Sequence, residues 1–494
     1  MSYRGKEKSS SLPFEDEELS PRPNSFAPKR AGGPSFGRSV GSLNTKLLSF
    51  LLIIWILTIH YFERIVPRQT MNACQWEKWE KWDEDSNVKK QQTAPHRIAL
   101  MPDPQIIDDH TYPNKSKAFN YITTLISDNY LRRNYKFMQN ILDPDTTIFL
   151  GDLFDGGREW VEDDEKWFKE YQRFMGIFPS KPNRRTIMSI PGNHDIGYQE
   201  IKPKVTKRFS AFFGELNNYV EIGNHTIVMI DTISMSHPDP EISAESKLFL
   251  QNLDDQINPQ LPRILLTHVP LYRFTDQQLC GPLREKGDPF PLQKGYQYQT
   301  VLDWEVSQTL LKTVDPDVIF SGDDHDYCQV KHKFNFQGID RVAEEISAKT
   351  VSMTCGVKYP ALQLLSLNNP YDPNPKSKLA DDSTSSYVTE MCYLPSPYVA
   401  LNSYIFLLLV TIGIVAMVYL FPASLVKLAD KLPVVISKKF KHDDLPQWKP
   451  SQFPKNSEFL RSLSLERNWI SFGLHVLVAI TAVYSLFGFY YWYI

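Results

Sequence analysis

The sequence predicts an α/β domain with two packed sheets, carried on three membrane-spanning helices. From Arg97 onward, short apolar runs alternate with amphipathic stretches, a pattern typical of strands and helices layered around a core. After Cys328 the pattern changes to short alternating segments, which indicates a second sheet packed on the first. Three long apolar stretches, one near the start of the chain and two near its end, predict the membrane helices.

The N-terminal region divides into a polar tail and an apolar segment. Residues 1–46 are rich in Ser, Pro, Gly and Arg and hold few large apolar side chains, so we expect a disordered tail. Residues 47–62 carry no acidic or basic charge, apart from the titratable His60. As a helix they would span roughly 24 Å, which suits a thin bilayer. A signal peptide or a buried core helix is the alternative interpretation.

Two further spans are predicted at residues 403–421 and 469–494. The loop between them, residues 424–468, holds nine Lys or Arg against five Asp or Glu, and the N-terminal tail holds eight Lys or Arg. The positive-inside rule therefore places the tail and this loop in the cytosol. Residues 63–402 then form a lumenal domain.

Composition agrees with an oxidising compartment and gives no support to a nucleic-acid partner. All five cysteines lie within residues 63–402, and their odd number leaves at least one unpaired in a monomer. The glycosylation acceptor sequences at Asn114 and Asn224 lie in the same region. The net charge is only −3, from 54 basic and 57 acidic residues. The chain as a whole therefore has no electrostatic field that favours nucleic acid as a partner.

Predicted strands and helices bring polar side chains to one edge of the domain. The predicted strands of the first part are residues 97–100, 147–150, 186–190, 226–230, 263–266 and 318–320, with helices at 116–142, 160–178 and 245–257. The later segments, predicted for the second sheet, are 330–334, 349–354 and 361–367. Strand ends in such sheets line a common crevice, so the polar residues that follow them are expected to converge.

Five polar clusters follow these strands, and together they predict a two-metal site. They contain Asp103 and Gln105, then Asp152 and Asp155, then Asn193, His194 and Asp195, then His268, and finally Asp323, Asp324 and His325. One such cluster would be an ordinary turn or helix cap, but five in order are not explained that way. Two cations about 3.5–4 Å apart need a bridging carboxylate and several N and O ligands. This set without a thiolate favours Mn, Fe or Zn.

The same five clusters resemble the motifs of the calcineurin-like metallophosphoesterase superfamily. The resemblance covers roughly residues 95–370 and implies a two-sheet αββα sandwich. More narrowly, the segments 322–328, 352–356 and 364–367 resemble fungal Golgi and endoplasmic-reticulum phosphodiesterases that remodel glycosylphosphatidylinositol (GPI) anchors.

The resemblance also implies a role for each residue. Asp103 and His325 would hold the first metal, Asn193, His268 and Asp323 the second, and Asp152 would bridge them. The superfamily usually has His in place of Gln105 and of Asp323, so we expect a more oxygen-rich site that favours two Mn ions. His194 resembles the residue that protonates the leaving oxygen, and Asp195 is expected to orient it.

Four residues near these motifs keep open interpretations. Asp155 either supports a ligand or begins a helix, and Arg158 is either a surface residue or a phosphate clamp. Asp324 and Asp326, which flank His325, are either functional or solvated turn residues.

The function that follows is a phosphodiesterase in the lumen of the endoplasmic reticulum or Golgi. The resemblance implies that it removes an ethanolamine-phosphate branch from the mannose core of a GPI anchor, with the anchor glycan or the anchored protein as its partner. A membrane phosphatase of other lipids or proteins is one alternative. A catalytically weak scaffold or cargo-binding protein is another, suggested by Gln105 and Asp323.

Overall fold

The computed structural model describes residues 43–82, 94–369, 385–425 and 467–492. Nearly all of the tail predicted at residues 1–46 lies outside these ranges, as do most of the loop predicted at 424–468 and the last two residues of the third predicted span.

The strands and helices alternate along the first two thirds of the chain. The strands are β1 (His96–Met101), β2 (Thr146–Phe149), β3 (Arg185–Ile187), β4 (Asn218–Ile222), β5 (His225–Met229), β6 (Arg263–Leu266), β7 (Lys294–Gly295), β8 (Tyr298–Gln299), β9 (Val318–Ser321), β10 (Cys328–Phe336), β11 (Ile339–Ser347), β12 (Ala361–Leu367) and β13 (Tyr387–Tyr393). The helices are α1 (Thr45–His60), α2 (Val66–Ala73), α3 (Lys117–Ile141), α4 (Asp164–Ile177), α5 (Asn193–Ile196), α6 (Pro203–Phe213), α7 (Thr232–Met235), α8 (Pro240–Gln251), α9 (Leu253–Gln256), α10 (Trp304–Val314), α11 (Pro397–Tyr419) and α12 (Trp469–Trp492).

Two sheets form the centre of the domain. One has five strands in the order β13-β12-β1-β2-β3, and the other has six in the order β10-β11-β9-β6-β5-β4. In β1, Ile98 and Leu100 belong to the apolar cluster between the sheets, whereas Ala99 and Met101 belong to the cluster that includes the helices. Because successive strand residues point to opposite faces, each sheet is covered by helices on its outer side. The predicted αββα sandwich is confirmed.

The predicted division of strands between the sheets is wrong. Strands β1, β2 and β3 lie in one sheet and β5, β6 and β9 in the other, while the late strands extend both. Residues 349–354 form no strand: the Thr350 hydroxyl donates to the distant Asp103 carbonyl and accepts from the nearby Ser352 N–H, so this segment is a loop against the metal site. Strand β3 also ends earlier than predicted, at Ile187, and the chain then enters the loop before α5.

Within the described residues, three helices are long and apolar enough to cross a membrane. The first runs without a break from Thr45 to Ala73, through a π-helical turn at Tyr61–Ile65, and α11 and α12 are the others. They contact one another: Trp55 Nε1 donates to Thr411 Oγ1 at 3.1 Å, and the Tyr419 hydroxyl lies 2.9 Å from His475 Nε2.

Two disulfides tie the domain together. Cys74, which follows α2, is bonded to Cys392 in β13, and Cys280 is bonded to Cys328. Cys355 is a free thiol, as the odd number of cysteines requires.

Candidate metal centre

The predicted metal residues follow strands of both sheets; most lie on loops, and Asn193 begins α5. Five of them have a left-handed backbone, which non-glycine residues rarely adopt: Asp103 (φ 45°), Gln105 (φ 40°), Asp152 (φ 48°), Asp323 (φ 64°) and His325 (φ 66°). Main-chain hydrogen bonds join the loops, including Gln105 N to Asp152 O at 2.8 Å and Gly322 N to His268 O at 2.8 Å. Strained backbone of this kind persists where the surrounding structure holds side chains for a function.

His268 occupies the middle of the site. Its Nδ1 lies 2.7 Å from the Leu150 carbonyl, which can only accept, so Nδ1 carries the proton. Its Nε2 lies 3.4 Å from Asp152 Oδ1, 3.4 Å from Asn193 Oδ1 and 3.5 Å from Asp323 Oδ1. With Nδ1 protonated, the lone pair of Nε2 faces three oxygens, an arrangement that a cation stabilises.

The charges around His268 also fit cations. Burial lowers the pKa of His268, yet Asp152 and the neighbouring carboxylates raise it well above its usual value, so the surroundings favour positive charge at this point. Burial raises the pKa of Asp103 well above its usual range. Across the described ranges, the ion pairs of Asp103, Asp152 and Asp323 are all made with His268. The carboxylates therefore exceed the protein's own positive charge here.

Asp103 and Asp152 are placed to share metal ions. Ligand atoms of Asp103, Asp152 and His268 all lie within 4.8 Å of one another, and all three residues are buried. Asp103 Oδ1 accepts from the Asp323 N–H at 3.0 Å, while its buried Oδ2 has no hydrogen-bond partner within the part of the chain that the structure covers. A buried carboxylate oxygen without a partner is costly, and a metal ion would satisfy it.

Two glycines allow these groups to approach. A Cβ on Gly192 would lie 2.0 Å from Asp152 Oδ1, and a Cβ on Gly151 would lie 2.4 Å from His268 Nδ1. Any other residue at either position would push a proposed ligand away.

A hairpin that the sequence analysis missed orients Asn193. Asn193 Nδ2 donates to the Gln297 carbonyl at 3.0 Å, and this leaves Oδ1 on the side of His268. Gln297 has φ 62°, and its Oε1 accepts the N–H groups of residues 198–200. It lies between the two-residue strands β7 and β8, which are too short to show a period in the sequence.

Gln105 and His325 also lie on the loops of the site, but they are not among the residues that contact His268 Nε2. Gln105 is buried, and its Oε1 accepts from the Cys355 thiol at 2.8 Å. Burial lowers the pKa of His325 to about 3, so its imidazole is neutral at pH 7, the form that binds a metal. Their roles as ligands stay predictions.

The sequence analysis predicted that Asp195 orients His194. In the structure Asp155 does so instead. His194 Nδ1 donates to the Asp155 carbonyl at 2.7 Å and lies 3.4 Å from Asp155 Oδ1, and Thr111 Oγ1 donates to Asp155 Oδ2 at 2.5 Å. With Nδ1 bonded to Asp155, Nε2 is the ring nitrogen left for the proton transfer that the sequence predicts.

Asp195 instead braces two loops. Its carboxylate accepts from the N–H groups of Leu153, Phe154 and Gly192 at 2.8–3.1 Å. Burial and the nearby Asp152 raise the pKa of Asp195 to about 7. The Asp195 carboxylate binds the backbone N–H groups that lie directly beside it. It therefore does not contact the His194 imidazole.

The open interpretations of the flanking residues also have answers. Arg158 Nη1 donates to the carbonyls of Asn193 and Gln297, so it braces the hairpin. Asp324 is buried in an ion pair with Arg284, and Asp326 lies 3.3 Å from Lys349 Nζ. Neither aspartate is a solvated turn residue.

Comparison with known proteins gives the family. The calcineurin-like phosphoesterase family matches residues 96–327. The chain is 46% identical over 381 residues to Cell division control protein 1 of Saccharomyces cerevisiae, covering 77% of this chain and 76% of that protein. It is 27% identical over 392 residues to the Metallophosphoesterase 1 homolog of Caenorhabditis elegans, covering 78% and 95%. A dimetal phosphatase structure from Danio rerio aligns with 61% of this chain and 100% of its own, with 12% identity and a TM-score of 0.35.

The family match begins at β1 and ends in the loop that carries Asp323 and His325, so it contains every residue of the predicted site. The protein belongs to the calcineurin-like phosphoesterase family and is a metal-dependent phosphoesterase with a site for two divalent cations.

Proposed function

We propose that this protein is a phosphodiesterase that removes an ethanolamine-phosphate branch from the mannose core of GPI anchors. The observation that carries the proposal is where the segments resembling GPI-remodelling enzymes lie. Segment 322–328 supplies Asp323 and His325, and segment 352–356 contacts the site through Cys355 and Gln105. Two of the three segments that resemble that group of enzymes therefore border the metal site, where they can select a substrate.

The chain offers enough ligands for two ions. Asp103 and His325 would hold one, and Asn193, His268 and Asp323 the other, with Asp152 between them and Gln105 at the edge. Oxygen ligands predominate in this set, which favours Mn. When bound, two such ions polarise the phosphoryl oxygens and activate water for in-line attack on phosphorus.

The residues around the ions position and exchange a proton. Hydrolysis breaks the bond between phosphorus and the mannose oxygen, which would leave as an unstable alkoxide. His194 Nε2 donates a proton to that oxygen, and the products are a mannose hydroxyl and phosphoethanolamine. This donation requires the imidazolium form, in which Nε2 carries the proton to be transferred and Nδ1 keeps its hydrogen bond to the Asp155 carbonyl.

We further propose that residues 63–402 lie in the lumen of the endoplasmic reticulum or Golgi. The two disulfides within this region and the basic flanks of the membrane helices support this orientation. Protease protection in sealed microsomes tests it. The domain should resist digestion until detergent is added, and digestion without detergent would reject the topology.

The substrate is tested by the anchor glycans of cells that lack this protein. Mass spectrometry should show excess ethanolamine phosphate on one mannose, restored to normal by the wild-type chain but not by His194→Ala. Unchanged glycans in the deficient cells would contradict the proposed substrate and leave the phosphoesterase assignment in place.

A further inference from the structure

Helix α3 carries an exposed apolar patch at its N-terminal end, formed by Phe119, Tyr121 and Ile122. These side chains are 46%, 64% and 54% exposed. Phe119 and Ile122 share one helix face because they are three residues apart. Lys115 Nζ lies 5.9 Å from the centre of the Phe119 ring. Apolar and aromatic groups beside a lysine are typical of segments that lie at a bilayer surface.

The same face of α3 is attached to the membrane helices further along. Asn129 Nδ2 and Arg133 Nη1 donate to Glu63 Oε2 at 3.2 and 2.5 Å. Glu63 lies in the π-helical turn of the first membrane helix, and Tyr404 of α11 donates to its other oxygen at 2.9 Å. The middle of α3 is therefore fixed to two of the three helices.

The direction of α3 brings the patch toward the membrane. The carbonyl of Leu142, just beyond the C-terminal end of α3, accepts from Trp76 Nε1 at 2.7 Å, and Trp76 follows the end of α2. Arg133 contacts Glu63. Glu63 precedes the end of α2 at Ala73 by more than two helical turns, so it is closer than Trp76 to the membrane-spanning part of this helix. Followed from Leu142 to Arg133, α3 thus descends toward the bilayer, and Ile122 lies about 16 Å further along its axis.

The patch is also close to the catalytic machinery. Tyr112 and Phe119 make an edge-to-face ring contact with centroids 6.0 Å apart. The preceding residue, Thr111, donates to Asp155, which orients His194. Tyr112 and Thr111 therefore connect the patch to the residue that orients His194.

We propose that the apolar patch rests in the surface of the bilayer that the three helices cross, so that the active site receives phosphodiesters carried by lipids of that same leaflet. The nature of the phosphodiester rests on the proposed function, whereas the contact with lipid does not. Lys115 and Lys117, beside the patch, provide positive charge for the phosphates of the headgroups.

Photo-cross-linking of the full-length chain tests the contact directly. A benzophenone amino acid replaces Ile122, and the protein is reconstituted in nanodiscs of phosphatidylcholine and phosphatidylserine. The matched control replaces Ile339, which is 64% exposed at the start of β11, at the opposite end of the sheet from the metal loops. Lipid adducts should form at position 122 and not at 339. No adducts at 122, or equal yields at both positions, would overturn the proposal.

Kinetics of Ile122→Asp test the consequence for substrate. A charged side chain in the bilayer surface should slow hydrolysis of a GPI lipid bearing ethanolamine phosphate, in the same nanodisc, by about tenfold. Hydrolysis of soluble bis(p-nitrophenyl) phosphate should be unchanged, and Ile339→Asp should behave as wild type with both substrates. Equal rates of Ile122→Asp and wild type on the lipid would overturn the proposal.

The two proposals fail in different ways. If the wild-type chain hydrolyses the soluble ester but not the GPI lipid, the proposed substrate is wrong, while lipid adducts at position 122 still support the membrane contact. If the GPI lipid is hydrolysed and no adducts form, the membrane contact is wrong and the proposed substrate stands.

Discussion

Replacing His194 by alanine should remove proton transfer and leave the metal site intact. The imidazole contacts Asp155 through Nδ1, whereas Asp152 is held by the main-chain N–H of His194 at 2.8 Å. That N–H survives the substitution, so Asp152 keeps its position. A general acid contributes about 10²- to 10⁴-fold to rate, so we expect the barrier to rise by about 2.7–5.4 kcal/mol.

The assay compares two phosphodiesters that differ in their leaving group. The leaving group of an alkyl diester is a strongly basic alkoxide, which needs the proton. The leaving group of an aryl diester is a weakly basic phenolate, which does not. The loss caused by His194→Ala should therefore be much smaller on the aryl substrate. His96→Ala is a suitable control, because His96 is a partly buried histidine at the start of β1, outside the five motifs, and should alter neither rate.

Two results would refute this reasoning. Equal slowing on the alkyl and aryl substrates would show that His194 does not protonate the leaving oxygen. Loss of metal from His194→Ala would show that the imidazole is a ligand or a structural support of the metal site.

Three further predictions concern residues around the site and in the core. Gln105→His should retain activity and shift metal preference toward Zn, and Gln105→Ala should lower metal content; unchanged activity and metal content in Gln105→Ala would make this residue a turn former only. Burial lowers the pKa of His225 to about 4, below the 6.5 of the unfolded chain, so the unfolded state takes up the proton first as the pH falls. Urea unfolding should then show about 3 kcal/mol of stability lost between pH 6.5 and 4, and a His225→Gln variant with the same pH dependence would exclude this residue as its source. Asp324→Ala leaves the buried Arg284 without its carboxylate and should destabilise the domain by about 3–5 kcal/mol. Thermal unfolding measures the effect, with Glu165→Ala in the exposed Lys169–Glu165 pair as the control. Equal melting temperatures of the two variants would contradict a stabilising buried ion pair.

Much of the architecture is readable from local patterns. The apolar runs at β1, β2, β6 and β9 are short and follow turn residues, and α3 keeps its helical pattern over 25 residues, so these elements lie close to their predicted bounds. The partition into two sheets was predicted wrongly, because it depends on pairing between distant segments. Strand β1, for example, pairs with β12, and nothing in the sequence near Arg97 specifies that partner.

The site likewise contains residues that the sequence predicts and contacts that it does not. Motif order predicted the positions of Asp103, Asp152 and His268, which the structure brings together. The partner of His194 was predicted wrongly, because Asp195 is adjacent in sequence but its carboxylate turns toward backbone N–H groups of another loop. Gln297 acts through its main-chain carbonyl, which any residue possesses, so its side chain gives no signal of the contact with Asn193.

In the proposed function, two metal ions bound around Asp152 carry out the hydrolysis. Metal content and phosphodiester hydrolysis, measured on the same purified full-length samples of wild type and Asp152→Ala, test it most directly. Wild type should hold about two divalent ions per chain and lose activity on chelation. Asp152→Ala should lose at least one ion and all turnover, with its thermal unfolding still cooperative. Full metal content in active Asp152→Ala, or wild-type activity that persists without metal, would contradict the account.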